Sequence, residues 1–209
     1  MKAAIYTNRD FGKYLEMIDI TPPSPKPGEV LIKTRAASVN PLDWRLKARR
    51  PGVDVAGEVV SVGDGVTRFS RGDAVFGGGK GAFAEYVCAR ATKLAAKPDN
   101  ISFEEAASVP IAGLTALQAL RDKGKLAPGQ KVLINGAAGG VGTFAVQIAR
   151  RLLQKSPEFV APEISRWSNR SVRTAWSITE SKTSAMTEED TTWCLITSAT
   201  GPYSHSAAP

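Results

Sequence analysis

A chain of 209 residues has room for one or two domains, and 43% hydrophobic with 22% charged residues is ordinary for a soluble globular protein. Cys88 and Cys194 are too few and too far apart for a disulfide framework, and no stretch approaches the roughly 18 to 20 apolar residues of a membrane span. Composition therefore predicts a reduced, cytoplasmic protein with no visible export signal. The formal charge of +7 lies wholly before residue 151, since residues 151–209 carry six basic and six acidic residues; apart from a concentration at 45–50 it is dispersed. Attraction of a small anionic ligand accounts for it without a nucleic-acid or membrane partner.

Composition also locates a break. Eighteen of the 19 glycines precede residue 151, whereas three of the four tryptophans and the one histidine follow it. Before the break, short β-rich runs at 3–6, 14–20, 29–39, 54–63, 73–76 and 82–87 predict strands, with Val30, Ile32 and Thr34 giving the alternation of a half-buried one. Pro25, Pro27 and Gly28, then Gly63-Asp64-Gly65 and Arg71-Gly72-Asp73, supply the turns between them. Many short strands at this spacing predict a closed or nearly closed barrel.

At Asn100 the pattern changes. Ser102 followed three residues later by Glu105 is a capping-box signature, so a helix begins there. Pro110 either interrupts that helix or opens the next, on which Leu114, Leu117 and Leu120 form an apolar stripe, with Pro128-Gly129 and the glycine near Lys125 as the stop. The run at 131–135 reads as a buried parallel strand. It leads into Gly136-Ala137-Ala138-Gly139-Gly140-Val141-Gly142 and a helix with Val141, Ala145, Ile148 and Ala149 on its apolar face. Strand, glycine-rich turn and helix in that order form a phosphate-cradling unit: glycines let the backbone approach an anion, and free N–H groups with the positive end of the helix dipole face it. The first glycine of the usual dinucleotide fingerprint is Ala137 here, and a tight strand-to-helix connection without a ligand fits the same residues.

VLINGAAGGVGTFAVQIAR at 132 and SVPIAGLTALQAL at 108 resemble zinc-independent quinone oxidoreductases of the medium-chain dehydrogenase/reductase superfamily. ASVNPLDWRLK at 37 and PGVDVAGEVVSVGDGVTRFSRGDAVFG at 51 resemble that family's amino-terminal domain, a barrel related to the GroES fold. The resemblance implies a mixed α+β and α/β fold: a GroES-like β-barrel over 1–105, an incomplete Rossmann-type βα unit over 106–150, and an irregular tail over 151–209. It implies hydride transfer from NADPH, preferred over NADH, to a small-molecule quinone, enone or related carbonyl compound. Oligomerisation is possible for an intact member of the family and doubtful for this chain.

By the same resemblance Asn40 and Asp43 lie at the active-site cleft, Thr115 near the nicotinamide, and Gly136, Ala138, Gly139, Gly140, Val141 and Gly142 along the pyrophosphate. Duller roles fit too: Asn40 before Pro41 shapes a turn, Asp43 caps a helix at the surface, and Thr115 packs within a helix. Composition bears on the metal separately, because a catalytic zinc needs about three protein ligands. The one histidine, His205, reads as a solvated tail residue and Cys88 as a small core residue. Between Lys47 and Pro51 the chain is short relative to the family, which puts cover of the cleft in doubt.

After Arg150 a dinucleotide-binding domain should continue to a strand ending near a ribose reader about 20 residues beyond the glycines. Glu158 and Glu163 stand near that offset, but neither ends a convincing strand, and serine and threonine make up 18 of the last 59 residues with no sustained period. A disordered tail fits this composition. A shifted reading frame fits more closely. Permitted codons for residues 154–179, read from each third base, give EVTGVCSTRNLEMVKSLGADGVVDY, and the same offset over 183–208 gives FRDDGRRYDVVLDNVGNRSLFAFRR. Both strings resemble the family's next strands and helices in the right order. The restored SerThrArg suits a 2′-phosphate.

Overall fold

In the computed structural model, which describes residues 1–6, 15–46, 48–134, 136–153 and 191–193, the short apolar runs of the first half become strands. The chain divides into two units, Met1–Ile111 and Ala112–Pro209.

The first unit is built on a five-stranded antiparallel sheet in the order β6-β3-β4-β5-β7, from β3 (Glu29–Ala36), β4 (Asp54–Val62), β5 (Ala74–Gly78), β6 (Tyr86–Arg90) and β7 (Leu94–Ala96). A two-stranded ribbon of β1 (Lys2–Tyr6) and β2 (Leu15–Asp19) joins it through a bridge between Ala3 and Ala84. Val30, Ile32, Val55, Val59, Val75 and Val87 interlock as its core. Full burial of each such side chain contributes about 1.5–3 kcal/mol. The predicted strand at 82–87 corresponds to β6 shifted towards the C-terminus, with the Gly-rich approach leaving only the Ala84 bridge before Tyr86. β7, with three residues, is too short to announce itself by alternation.

Strand β4 has no solvent-facing side where it begins. Residues 54–57 are all buried: Val55 faces the core, and Ala56, of opposite parity, packs with Ala106 and Ala107 of α2 (Phe103–Ser108). Ser102 caps α2 as its sequence predicts, its hydroxyl accepting from the Glu105 N–H at 3.1 Å while the Glu105 carboxylate accepts from the Ser102 N–H at 2.8 Å. Pro110 opens α3 (Pro110–Leu117), where a missing N–H costs nothing.

The second unit has its own apolar cluster, in which Ala116, Leu120, Leu126, Ile134, Ala145 and Ala149 are buried. The leucine stripe expected on α3 is corrected here: Leu120 is buried, Leu117 half-buried, and Leu114 54% exposed. A spacing of three drifts around the helix, and the buried positions are instead Ala112, Ala116 and Leu120, four apart. The helix widens into a π-helical stretch, Gln118–Lys123, and stops where Lys125 takes a left-handed φ of 46°. Then come β8 (Lys131–Leu133), the glycine turn and α4 (Gly140–Leu153), which turns Ala145 and Ala149 into the cluster with Val141 and Ile148 partly buried against it. A three-residue strand that sequence periodicity did not show, β9 (Thr191–Trp193), pairs in parallel with β8.

The remaining expectations for 151–209, including Glu158, Glu163, Cys194, His205 and the shifted frame, lie outside the described residues, as does Lys47 beside the short segment before Pro51. Among the described residues no helix is long and apolar enough to cross a membrane.

Candidate functional site

Two arrangements of opposite kind, one in each unit, carry the candidate residues. The first grows from the loop after β3. Ser38 and Asn40 are two apart, and Asn40 is extended at φ −123° and ψ 152°, so their side chains reach one partner, Asp54 at the start of β4. Asp54 Oδ2 accepts from the Ser38 hydroxyl at 2.9 Å, from Asn40 Nδ2 at 3.0 Å and from the Ile111 N–H at 3.2 Å. Asn40 Nδ2 also donates to Ser38 Oγ at 2.9 Å, closing a three-membered polar ring. Asn40 then caps the short helix α1 (Pro41–Arg45): its backbone N–H donates to Asp43 Oδ2 at 2.6 Å, and the Asp43 N–H returns to the Asn40 carbonyl at 3.0 Å.

This cluster is buried, with Asn40 9% exposed, Asp43 3% and Asp54 fully covered. Asp43 is therefore a cap, but a buried one. One oxygen of each carboxylate, Asp43 Oδ1 and Asp54 Oδ1, is buried with no hydrogen-bond partner. Burial pushes the Asp54 carboxyl above the ordinary carboxylate range, the bonds from Ser38, Ile111 and Asn40 pull it back, and the Asp43 charge adds a smaller upward push.

The second arrangement offers backbone alone. Gly136 takes a φ of 70°, its carbonyl accepts from the Gly139 N–H at 3.0 Å, and the Thr143 N–H bonds the Gly139 carbonyl at 2.9 Å to start α4. A Cβ at Gly142 would collide with the Gly136 carbonyl and lie 2.7 Å from the Ala137 Cα, so this position admits only glycine. A Cβ at Gly140 would meet nothing within 4 Å. The turn is thus packed tightly on its inner side at Gly142 and open at Gly140, where the first N–H groups of a helix have no intrahelical acceptor. Such an open, side-chain-free helix start fits a phosphate group. Ala138 and Gly140 are exposed, Gly136, Gly139 and Val141 half-buried. Thr115 stands exposed on α3, in this second unit.

Residues 26–99 match the alcohol dehydrogenase GroES-like domain. A chloroplast envelope quinone oxidoreductase homologue of Arabidopsis thaliana is 40% identical over 157 residues, covering 65% of this chain and 48% of its own. Quinone oxidoreductase of Homo sapiens is 38% identical over 144 residues, 63% of this chain and 44% of its own. Among solved structures, the quinone oxidoreductase of Coxiella burnetii superposes with a TM-score of 0.67 at 35% identity, over 73% of this chain and 54% of that one. The Escherichia coli quinone oxidoreductase complexed with NADPH gives 0.66 at 30% identity, over 73% and 50%. Over about two thirds of its length the chain is similar to quinone oxidoreductases, with an alcohol dehydrogenase GroES-like domain at 26–99. It spans about half the length of the curated relatives it matches, 48% for the first three.

Within the candidate site, the structure joins Asn40 to Asp43 and adds two residues that sequence reasoning passed over, Ser38 and Asp54. Asp54 had a signal: a carboxylate inside Val53-Asp54-Val55-Ala56, where both faces of the strand are apolar, must be buried and needs partners. Ser38 had only its spacing from Asn40, which any surface loop could show.

Proposed function

We propose that this chain carries the barrel and the phosphate-binding turn of an NADPH-dependent reductase that passes a hydride to a quinone, enone or related carbonyl compound without zinc. What supports this is the presence, in one chain 35–40% identical to proteins named quinone oxidoreductase, of a buried Asn40–Asp43–Asp54 cluster and a side-chain-free turn at 136–142. The zinc-free reading rests on a chain with one histidine and two cysteines.

Bound NADPH would supply the hydride, leaving the protein to bind, orient and exclude water. In this reading the N–H groups of Gly140, Val141 and Gly142 bind the pyrophosphate, Gly136 and Gly139 let it approach, Ala138 lies along it, and Thr115 orients the nicotinamide. Asn40 and Asp43 line the cleft for a small-molecule substrate, and neither nucleic acid nor a membrane is a partner. Preference for NADP belongs to the restored frame, whose SerThrArg would read the 2′-phosphate. We further propose that the frame shifts close to Arg150, that the encoded ancestor was a cytoplasmic reductase, and that this chain binds cofactor weakly and forms no stable oligomer.

Resequencing codons 140–209 tests the frame: a one- or two-base insertion or deletion there must restore both strings. Fluorescence titration of the full chain with NADPH, followed by NADPH oxidation with 1,4-benzoquinone, tests the chemistry. Saturable binding is expected, with slow or no turnover. No binding would instead favour a non-catalytic GroES-like interaction module.

A further inference from the structure

Arg50 is a cation that the first unit holds in place and does not pair. Its side chain crosses Gly81, where a Cβ would lie 3.0 Å from both Arg50 Cβ and Nε and 3.5 Å from Cζ. Gly81 takes a left-handed φ of 76°, and its N–H donates to the Gly52 carbonyl at 2.9 Å, so the guanidinium lies half-buried on a bare and anchored loop. Of its three nitrogens Nε is sealed from solvent without an acceptor, and the Nη end stays open. Among the described residues no hydrogen bond or ion pair reaches any of the three. An arginine cannot shed its proton, so a guanidinium that has lost part of its water keeps an uncompensated charge.

That charge acts on the outer face of the sheet. β3 and β6 pair so that Glu29, Leu31 and Lys33 stand opposite Arg90, Cys88 and Tyr86, on the face turned away from the buried Val30, Ile32 and Val87. Burial and the Glu29 charge push the Cys88 thiol up, and Arg50 pulls it back. Glu29 is not the counter-ion of Arg50: its carboxylate accepts from the Lys26 N–H at 3.1 Å, and Arg90 stands across the ladder from it.

We propose that the Nη end of Arg50, near Cys88 on the outer face of β3 and β6, is a binding site for an oxyanion, the phosphate or carboxylate group of a small molecule. The planar guanidinium meets two oxygens of either group at once, and partial burial strengthens the pairing over that at a fully exposed arginine. The site lies within the first unit and shares no residue with the Asn40–Asp43–Asp54 cluster or the turn at 136–142. It therefore stands whether or not the chain binds NADPH.

Occupancy is read at Cys88, by alkylation of the full chain with iodoacetamide followed peptide by peptide, because the thiolate is the form that reacts. An anion on Arg50 offsets the charge that favours that thiolate. Saturating inorganic phosphate is expected to slow alkylation of Cys88 by about twofold or more, while sodium chloride at equal ionic strength leaves it faster than phosphate does. Arg50→Leu is expected to fold, since it removes a buried donor that has no acceptor, and to abolish the difference between the two salts. Where Arg50→Leu fails to fold, Arg50→Gln removes the charge at similar length and is expected to do the same. Equal slowing by both salts, or a phosphate effect that survives in the folded variant, overturns the site.

The source of the oxyanion is read by calorimetric titration with inorganic phosphate and with acetate. Tighter binding of phosphate assigns a phosphate-bearing ligand and tighter binding of acetate a carboxylate-bearing one, provided that the substitution at Arg50 weakens the binding about fivefold or more. Heat from neither probe overturns the proposal, and leaves the NADPH titration to decide the reductase reading separately.

Discussion

The two candidate regions are built by opposite means. In the first unit two polar side chains and one backbone N–H converge on a single buried carboxylate oxygen, so identity is written in Ser38, Asn40 and Asp54. In the second the turn at 136–142 works through the absence of side chains, with Gly142 pressed on the Gly136 carbonyl and open space in front of Gly140. A site made of side chains tolerates a substitute that keeps shape and hydrogen-bonding sense. A site made of backbone tolerates or rejects a Cβ according to which side of the turn it lands on.

The largest effect follows from that last point. Gly142→Val drives a branched side chain into the Gly136 carbonyl and should cost about 3 kcal/mol of stability, at the upper end of overpacking penalties, along with all NADPH binding. Gly140→Ala, two residues earlier and in the same helix, should be neutral or stabilising by up to about 1 kcal/mol, because its Cβ meets nothing and the unfolded chain loses freedom. The methyl nevertheless projects where the anion would approach, so NADPH affinity should fall while the melting temperature does not. Thermal unfolding and NADPH titration of both variants check the pair. Equal damage from the two would mean that the turn has no privileged side.

The same contrast explains what was legible in the sequence. The glycine turn could be read because its constraint is local: a strand, seven residues and a helix in order. The cap at Ser102 and the core strands are local too. Asp54 was not read as part of the site because its partners come from 14, 16 and 57 residues away, and only the paired strands bring them together. The face of α3 was misread because leucine was taken as the mark of burial, whereas at Ala112 and Ala116 small side chains fill the buried face and Leu114 is left exposed. Thr115 was named from resemblance, with no pattern of its own to carry it.

A second, smaller effect probes the side-chain region through pH. Burial holds the Asp54 carboxyl above its ordinary range. A buried acid with a raised folded value contributes most to stability while protonated: the contribution is complete below the unfolded value, near pH 4, and is lost as pH rises through the folded value. Asp54→Asn keeps the shape and an oxygen for the three donors but does not titrate. Wild type should therefore lose stability relative to Asp54→Asn as pH rises from about 4 into that interval, by about 1.4 kcal/mol for each unit by which the folded value exceeds the unfolded one. Thermal unfolding of both proteins between pH 3.5 and 7.5 measures it. A difference that stays flat, or that runs the other way, would place Asp54 as an ion stabilised by its donors and remove the contrast drawn with the backbone site.

The smallest effect tests whether the two regions are separable at all. Ser102→Ala leaves the Glu105 N–H without its cap acceptor at the start of α2 and should cost about 1 kcal/mol. That helix packs Ala106 and Ala107 on Ala56, the residue of β4 that shares Asp54's face of the strand, so loosening it should speed exchange of the Asn40 amide. The turn at 136–142 has its own hydrogen bonds and its own apolar cluster, and neither includes α2. NADPH affinity should therefore stay within about twofold of wild type, since a fraying cap in one unit removes no N–H group from the other. A parallel loss of Asn40 protection and of NADPH affinity would show instead that the side-chain site and the backbone site are stabilised as one cooperative body.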